Sequence, residues 1–202
     1  MTIEKNTEDK IVEAAKTVFV EKGMDGARMQ EIANEAGINK ALLHYYFRTK
    51  DKLFEKVFTI LFKDVFAVFE QAISEEIDFE HFLEGFITNY LKLLKSKPFI
   101  PHFVIHELNR KPERIVELMQ NFSFNKQNLF DLIERAVEEK VIRPIQPVHL
   151  VTNILSMCLF PVIAKPIITG FALDGDKKKY QQYIDERPDE VIAFVKQAVL
   201  LK

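Results

Sequence analysis

Four residues, Ala33, Gly37, Ile38 and Leu43, constrain this chain more tightly than any other feature. A small residue, a glycine four positions on, and apolar residues one and six positions beyond that glycine match two short helices crossing at a tight turn. Ala33 lets the second helix cross close to the first. Gly37 can take the positive φ that the turn demands. Ile38 and Leu43 point inward and lock the two helices together.

The flanks support the same arrangement. Ile11, Ala14, Ala15, Val18 and Phe19 recur at helical spacing. They predict a first helix over 7–22, capped by Asn6 or Thr7 and stopped by Gly23. Met24, Asp25 and Gly26 form a loop. Short helices follow over 28–36 and 40–47, the second capped by Asn39. Thr49 caps a longer helix over 50–74. Beyond it, apolar periodicity predicts helices over 79–94, 103–108, 112–140 and 148–164, with a kink near Pro161 or Pro166. Asp174-Gly175-Asp176 makes a turn, and a last helix begins near Pro188. No segment predicts a strand.

Composition agrees with an all-α chain. Only 6 glycines and 8 prolines are present in 202 residues, too few turn formers for a many-stranded sheet. Eighteen phenylalanines and no tryptophan imply an aromatic interior with room for an apolar guest. The net charge of −2 excludes a general polycation, so any nucleic-acid contact must come from a local patch. A single cysteine, Cys158, allows no intramolecular disulfide and fits a reducing compartment. MTIEKNTEDK has no apolar core of a signal peptide, so a cytoplasmic protein is expected.

Residues 7–60, above all EIANEAGINKALLHYYFRTKDKLF, resemble the N-terminal DNA-binding domain of the TetR family of bacterial transcriptional regulators. The resemblance rests on E-I-A-x-x-A-G-I, the Y-Y-F aromatics, then a basic residue, Thr, Lys and a Leu-Phe pair. It implies a three-helix helix-turn-helix domain over 1–66. A helical effector-binding and dimerisation domain over 67–202 would follow. It also implies a homodimer, a pseudo-palindromic DNA operator, and a repressor released when a small, largely apolar effector binds. The helix starting at Lys50, joining head to body, would then be the natural lever. No enzymatic activity and no cofactor are expected.

A recognition helix presents its outward side chains to base edges and phosphates in the major groove. Within 40–47 the inward stripe is Leu43 and Phe47. Lys40 can reach a guanine edge or a phosphate, and Leu42 offers a thymine methyl only apolar contact. His44 can bond a base edge or phosphate, and Tyr45 and Tyr46 can donate phenolic hydroxyls to phosphates. Lys50 stands at a helix N-terminus, a ready phosphate site. Arg28 opens the second helix and can touch backbone or base. Lys40, Arg48, Lys50, Lys52 and Lys56 against Asp51 and Glu55 give a local charge of +3 (five cations less two acids). Lys52 and Lys56 fit a solvated face better than a specific contact. Ala27 departs from the family, which commonly has Thr or Ser there. It can neither cap nor touch phosphate, so Gly26 or Asp25 would have to cap.

In the rest of the chain, Phe86, Tyr90, Phe103, His106, Met119 and Phe122 are candidates to line an effector cavity. Residues 153–164 and 191–201 carry more apolar surface than a monomer easily hides, and predict a four-helix dimer interface. The competing reading is a metal-binding or enzymatic helical protein. His102, His106 and Glu107 would carry it, the two histidines lying one helical turn apart. Cys158, between Met157 and Leu159, is expected to be buried packing.

Overall fold

The computed structural model describes residues 2–73, 77–122 and 124–201, and the side chains from residue 7 onward within them. It is helical throughout. The helices are α1 (Thr2–Gly26), α2 (Met29–Glu35), α3 (Lys40–Tyr46), α4 (Lys50–Ala72), α5 (Phe79–Ser96), α6 (Phe99–Leu108), α7 (Pro112–Gln120), α8 (Lys126–Glu138), α9 (Pro147–Ile163), α10 (Lys165–Ile167) and α11 (Lys177–Val199). A π-helical turn, Ile168–Ala172, follows α10. Among the described residues the only β pairing is an isolated antiparallel bridge between Ile142 and Leu200.

The residues group into two compact units. One comprises 1–64 and 99–122, the other 65–98 and 123–202. The first unit is built on aromatic packing. The apolar stripe of α1 (Ile11, Ala15, Phe19) is fully buried, as are Ile32 and Ala33 of α2, Leu43 of α3 and Leu53 and Phe58 of α4. Phe19 meets Phe54 edge-on at 5.2 Å between ring centroids, and Phe54 lies 5.4 Å from Phe103 of α6. Such pairs add about 0.5–1.5 kcal/mol beyond the area they bury. Segment 99–122 thus shares a core with α1 and α4.

The second unit has its own core. Phe82, Phe86 and Tyr90 repeat along α5 at intervals of four and stack, at 5.8 Å and then 5.5 Å. Leu83, Ile87 and Leu91 cover the adjoining stripe, against Leu132 and Ile133 of α8, Ile154 and Cys158 of α9, and Ile184, Val191 and Val195 of α11.

Several predicted boundaries move. The first helix begins at Thr2 and runs through Asn6 and Thr7, because Ile3-Glu4-Lys5 contains no helix breaker. The expected end of the fourth helix at Ser74 lies outside the described residues. The predicted helix over 112–140 is two helices, because Asn125 caps α8 by accepting the Gln127 N–H. The last helix starts at Lys177, and Pro188 sits in its interior. Asp176 caps it, accepting from the Lys178 and Lys179 N–H groups. Buried Tyr180 and Ile184 hold the turns before the proline, offsetting a cost of about 3 kcal/mol. The chain bends by 62° between Pro147–Ile163 and Lys165–Ala172. α9 continues through Pro161 and the bend falls after it, so Pro166 opens α10 instead of breaking a helix. Among the described residues no single helix is long and apolar enough to cross a membrane.

Candidate nucleic-acid interface

Local sequence sets the geometry of α2 and α3. Gly37 has φ +66°, the left-handed conformation expected of it, and nothing would meet a Cβ there. Its requirement is conformational, not steric. The Asn39 side chain accepts the Leu42 N–H at 2.8 Å and caps α3. Leu43 is fully buried and Phe47 nearly so. At the start of α4, Thr49 Oγ1 accepts the Lys52 N–H at 3.2 Å. α2 is not capped by Gly26 or Asp25. Arg28 occupies its N-cap without a side-chain cap bond, and its N–H donates to Glu31 Oε2 at 3.3 Å. The buried Ala27 N–H donates to the Gly23 carbonyl, which holds Gly26 and Asp25 in the turn before it.

The outer face of α3 is open. Lys40 and His44 are exposed, Leu42 is 37% exposed and Tyr45 74%, while Tyr46 is half-buried. The two tyrosine rings meet edge-on at 5.4 Å, which fixes their mutual orientation. His44 Nδ1 lies 3.4 Å from the Arg48 carbonyl, which leaves the Nε2 edge of the ring facing outward partners. Arg28 is exposed at the start of α2. Lys50 differs from these. Half-buried, it donates to the carbonyls of Ala27 at 3.0 Å and Asp25 at 3.4 Å.

Ion pairs narrow the positive patch. Lys56 is paired with Glu8 at 3.1 Å, and Asp51 lies 3.8 Å from Arg114. Lys22 pairs with Glu31 at 3.2 Å, and that hydrogen bond holds the Glu31 carboxyl below its ordinary range. Lys40, Arg48 and Lys52 carry no ion pair among the described residues and remain available to a polyanion.

The candidate effector residues fall into two groups. Phe86 and Tyr90 are buried in the second unit, where desolvation pushes the Tyr90 hydroxyl well above its ordinary pKa. Phe103, His106, Met119 and Phe122 belong to the first unit. There Phe103 and Phe122 each lie 6.4 Å from Phe58. His106 packs over Gly23, and Met119 is half-buried on α7. A cavity of about 590 Å³ in the second unit is lined by other residues, among them Ile77, Phe79, Leu132, Val141, Glu84 and Lys196. The spacing of these residues in the sequence carries no signal that marks a hollow.

His102, His106 and Glu107 do not assemble as a ligand set. Among the described residues, no group of three or more His, Cys, Asp or Glu side chains could hold a metal ion. Glu107 is committed elsewhere. It is 2% exposed and accepts the Met24 N–H at 2.8 Å. No local pattern signals this contact, which joins residues 83 positions apart.

A short buried-face helix crossing behind an exposed, capped helix with aromatic and cationic side chains defines a helix-turn-helix DNA-binding protein with an all-α body. The comparisons with known proteins agree. Residues 11–57 match the family model for bacterial regulatory proteins of the tetR family. Over 187 residues the chain is 26% identical to the Probable HTH-type transcriptional regulator YttP of Bacillus subtilis, covering 90% of each protein. A 48-residue stretch is 44% identical to IcaR of Staphylococcus aureus, the biofilm operon icaADBC HTH-type negative transcriptional regulator. That stretch is 24% of this chain and 26% of IcaR. The crystal structure of HlyIIR, a hemolysin II transcriptional regulator, superposes with a TM-score of 0.64 at 23% identity. It covers 98% of this chain and 99% of HlyIIR, which establishes the shared fold. Residues 11–57 are thus a DNA-binding domain of the tetR-family type, and along most of its length the chain is similar to a transcriptional regulator built on the same fold.

Proposed function

We propose that this regulator is a dimeric repressor that binds a pseudo-palindromic operator and leaves it when a small, largely apolar effector binds. The observation that carries the DNA reading is the outer face of α3. Lys40, Leu42, His44, Tyr45 and Tyr46 stand on a helix whose other face is locked by Leu43 and Phe47. Arg28 adds a cation from α2. Lys40 reads a guanine edge or a phosphate, His44 Nε2 bonds a base edge or phosphate, and the tyrosine hydroxyls donate to phosphates. Lys50 serves this face from one step behind it. IcaR, a negative regulator, is 44% identical over its matched stretch, which supports the repressor reading.

Two bodies of this kind reach two half-sites about one helical turn apart, so a dimer is part of the mechanism. The dimer forms through the outer faces of α9 and α11, where Phe160 and Phe194 are 62% and 63% exposed. The effector binds a conformation whose two reading heads no longer match the half-site spacing, and so shifts the population off DNA. The heads are proposed to span 1–66 and the effector-binding and dimerisation bodies 67–202. The protein works in the cytoplasm, where its DNA is.

The test is selection of bound duplexes from random DNA, followed by affinity measurements over a series of salt concentrations. A palindromic consensus is expected, with Tyr46→Ala and Lys40→Ala each weakening binding while the fold and oligomeric state stay intact. Unchanged affinity in both variants overturns the assignment of this face.

A further inference from the structure

Lys50 is the first residue of α4, where the positive end of the helix dipole disfavours a cation. Its ammonium does not extend into solvent. It donates to the Ala27 carbonyl at 3.0 Å and to the Asp25 carbonyl at 3.4 Å, which occupies two of its three N–H groups. Those carbonyls carry the negative charge density that the helix end cannot offer. Asp25 lies at the end of α1, past its break at Gly23, and Ala27 links that end to α2, with Arg28 the next residue; residues 24–28 together make the α1–α2 connection. The same connection is gripped from another side, since the Asp25 carboxylate lies 3.7 Å from Lys111 Nζ.

We propose that Lys50 is a positioning residue. It ties the α1–α2 connection to the start of α4, and so sets where Arg28 and α2 stand relative to α3, instead of contacting a phosphate itself. This inference rests on the DNA-reading face described above. The two roles differ in a measurable way. A lysine on a phosphate releases a counterion, so its removal lowers the salt slope of binding by about one. A lysine bound to backbone carbonyls releases none, so its removal weakens binding at an unchanged slope.

The experiment compares Lys50→Met, Lys50→Arg and Lys40→Ala with the unaltered full chain. It measures affinity for a selected duplex across a salt series, and amide hydrogen exchange over residues 23–29. For Lys50→Met the expected result is roughly tenfold weaker binding, the size of a lost charge-assisted hydrogen bond, with an unchanged slope. Exchange in 23–29 should quicken. Lys50→Arg, which keeps the donors, should restore both. Lys40→Ala should lower the slope and leave exchange in 23–29 alone. A slope that falls by about one in Lys50→Met overturns the proposal, and so does unchanged exchange. If the unaltered protein shows no salt-dependent DNA binding, the reading of α3 fails instead, and exchange in Lys50→Met still decides what Lys50 does.

Discussion

Glu107 on α6 accepts the backbone N–H of Met24 at 2.8 Å, tying α6 to the end of α1. The residue before Met24 makes this contact possible. Gly23 has φ +66° and ψ 176°, a combination open to glycine almost alone. A Cβ there would lie 2.0 Å from His106 Cε1 and 2.3 Å from Nδ1. Glycine is therefore required twice, by backbone conformation and by the imidazole above it. Glu107→Ala leaves the Met24 donor without its acceptor and is expected to cost about 2–3 kcal/mol in urea unfolding. Glu107→Gln keeps a carbonyl oxygen in place and should cost less. Gly23→Ala should match or exceed the alanine variant at Glu107. Equal unfolding midpoints for all three and the unaltered protein would mean the contact holds nothing together.

The grip on this connection has more than one finger. Arg114 of α7 lies over the Phe54 ring at 5.7 Å and also reaches the Met24 sulfur and the Asp51 carboxylate. Glu107, Lys111 and Arg114 recur at intervals of four and three, so one side of segment 99–122 holds residues 24 and 25. These residues lead directly into the helix-turn-helix, and loosening them is expected to weaken DNA binding without any change on α3.

The outer faces of α9 and α11 provide a second prediction. Phe160 and Phe194 expose large rings, and grooves of about 490 and 430 Å³ run beside them, each including Ser156 and Met157. Exposed apolar surface of this kind is what the proposed dimer would bury. Phe160→Asp and Phe194→Asp should each weaken self-association by roughly thirtyfold or more, the scale of an aromatic hot spot lost from an interface core. Sedimentation velocity over a concentration series measures this directly. A dimer that survives both substitutions unchanged would place its interface elsewhere.

The sequence disclosed local structure better than long-range contact. The Gly37 turn, the Asn39 cap and the burial of Leu43 each follow from a few neighbouring residues, and each was legible. The break between α7 and α8 and the start of α11 were not. Asn121 and Asn125 compete weakly with a continuing apolar pattern, and a proline at position 188 signals a helix start more strongly than a tolerated interior site. Tyr180 and Ile184 decide that question by packing, which periodicity over a short window does not register. His102, His106 and Glu107, which carried only the competing reading, show the same limit. Their spacing suited a metal, but the partner of Glu107 is an amide 83 residues earlier. Exposure of Lys40, His44 and Tyr45 follows from the helical register of Leu43 and Phe47.

Cys158 supplies a third prediction. Its thiol is fully buried, and desolvation pushes its pKa up to about 12, with nearby Arg187 opposing the shift. The reactive species is the thiolate, so the native protein should be nearly inert to a thiol probe at neutral pH. In denaturing urea the same residue should react at the rate of an ordinary cysteine. Fast labelling of the native protein would point to a redox role and contradict the packing role assigned to it.

His81 and Asp78 at the start of α5 give a pH-dependent test. Asp78 caps the helix by accepting the His81 N–H at 2.9 Å, and its other oxygen lies 2.6 Å from His81 Nδ1. The side-chain hydrogen bond to Asp78, helped by its charge, raises the His81 pKa above 6.5. The His81 backbone bond, followed by the ring contact, lowers that of Asp78 below 3.8. The signs then set the window. The histidine contribution is fully present below pH 6.5 and is lost as pH rises through the higher folded value. The aspartate contribution is present above 3.8 and is lost as pH falls through the lower folded value. The pair is therefore strongest in mildly acidic solution. Both groups are exposed, so the effect on global stability is small and the test belongs at the site. An NMR titration of the His81 ring should give a pKa above 6.5, and Asp78→Asn should bring it back toward that value. A ring that titrates at the ordinary value in the unaltered protein would show that it does not hold the carboxylate in solution, and the cap would then rest on the backbone bond alone.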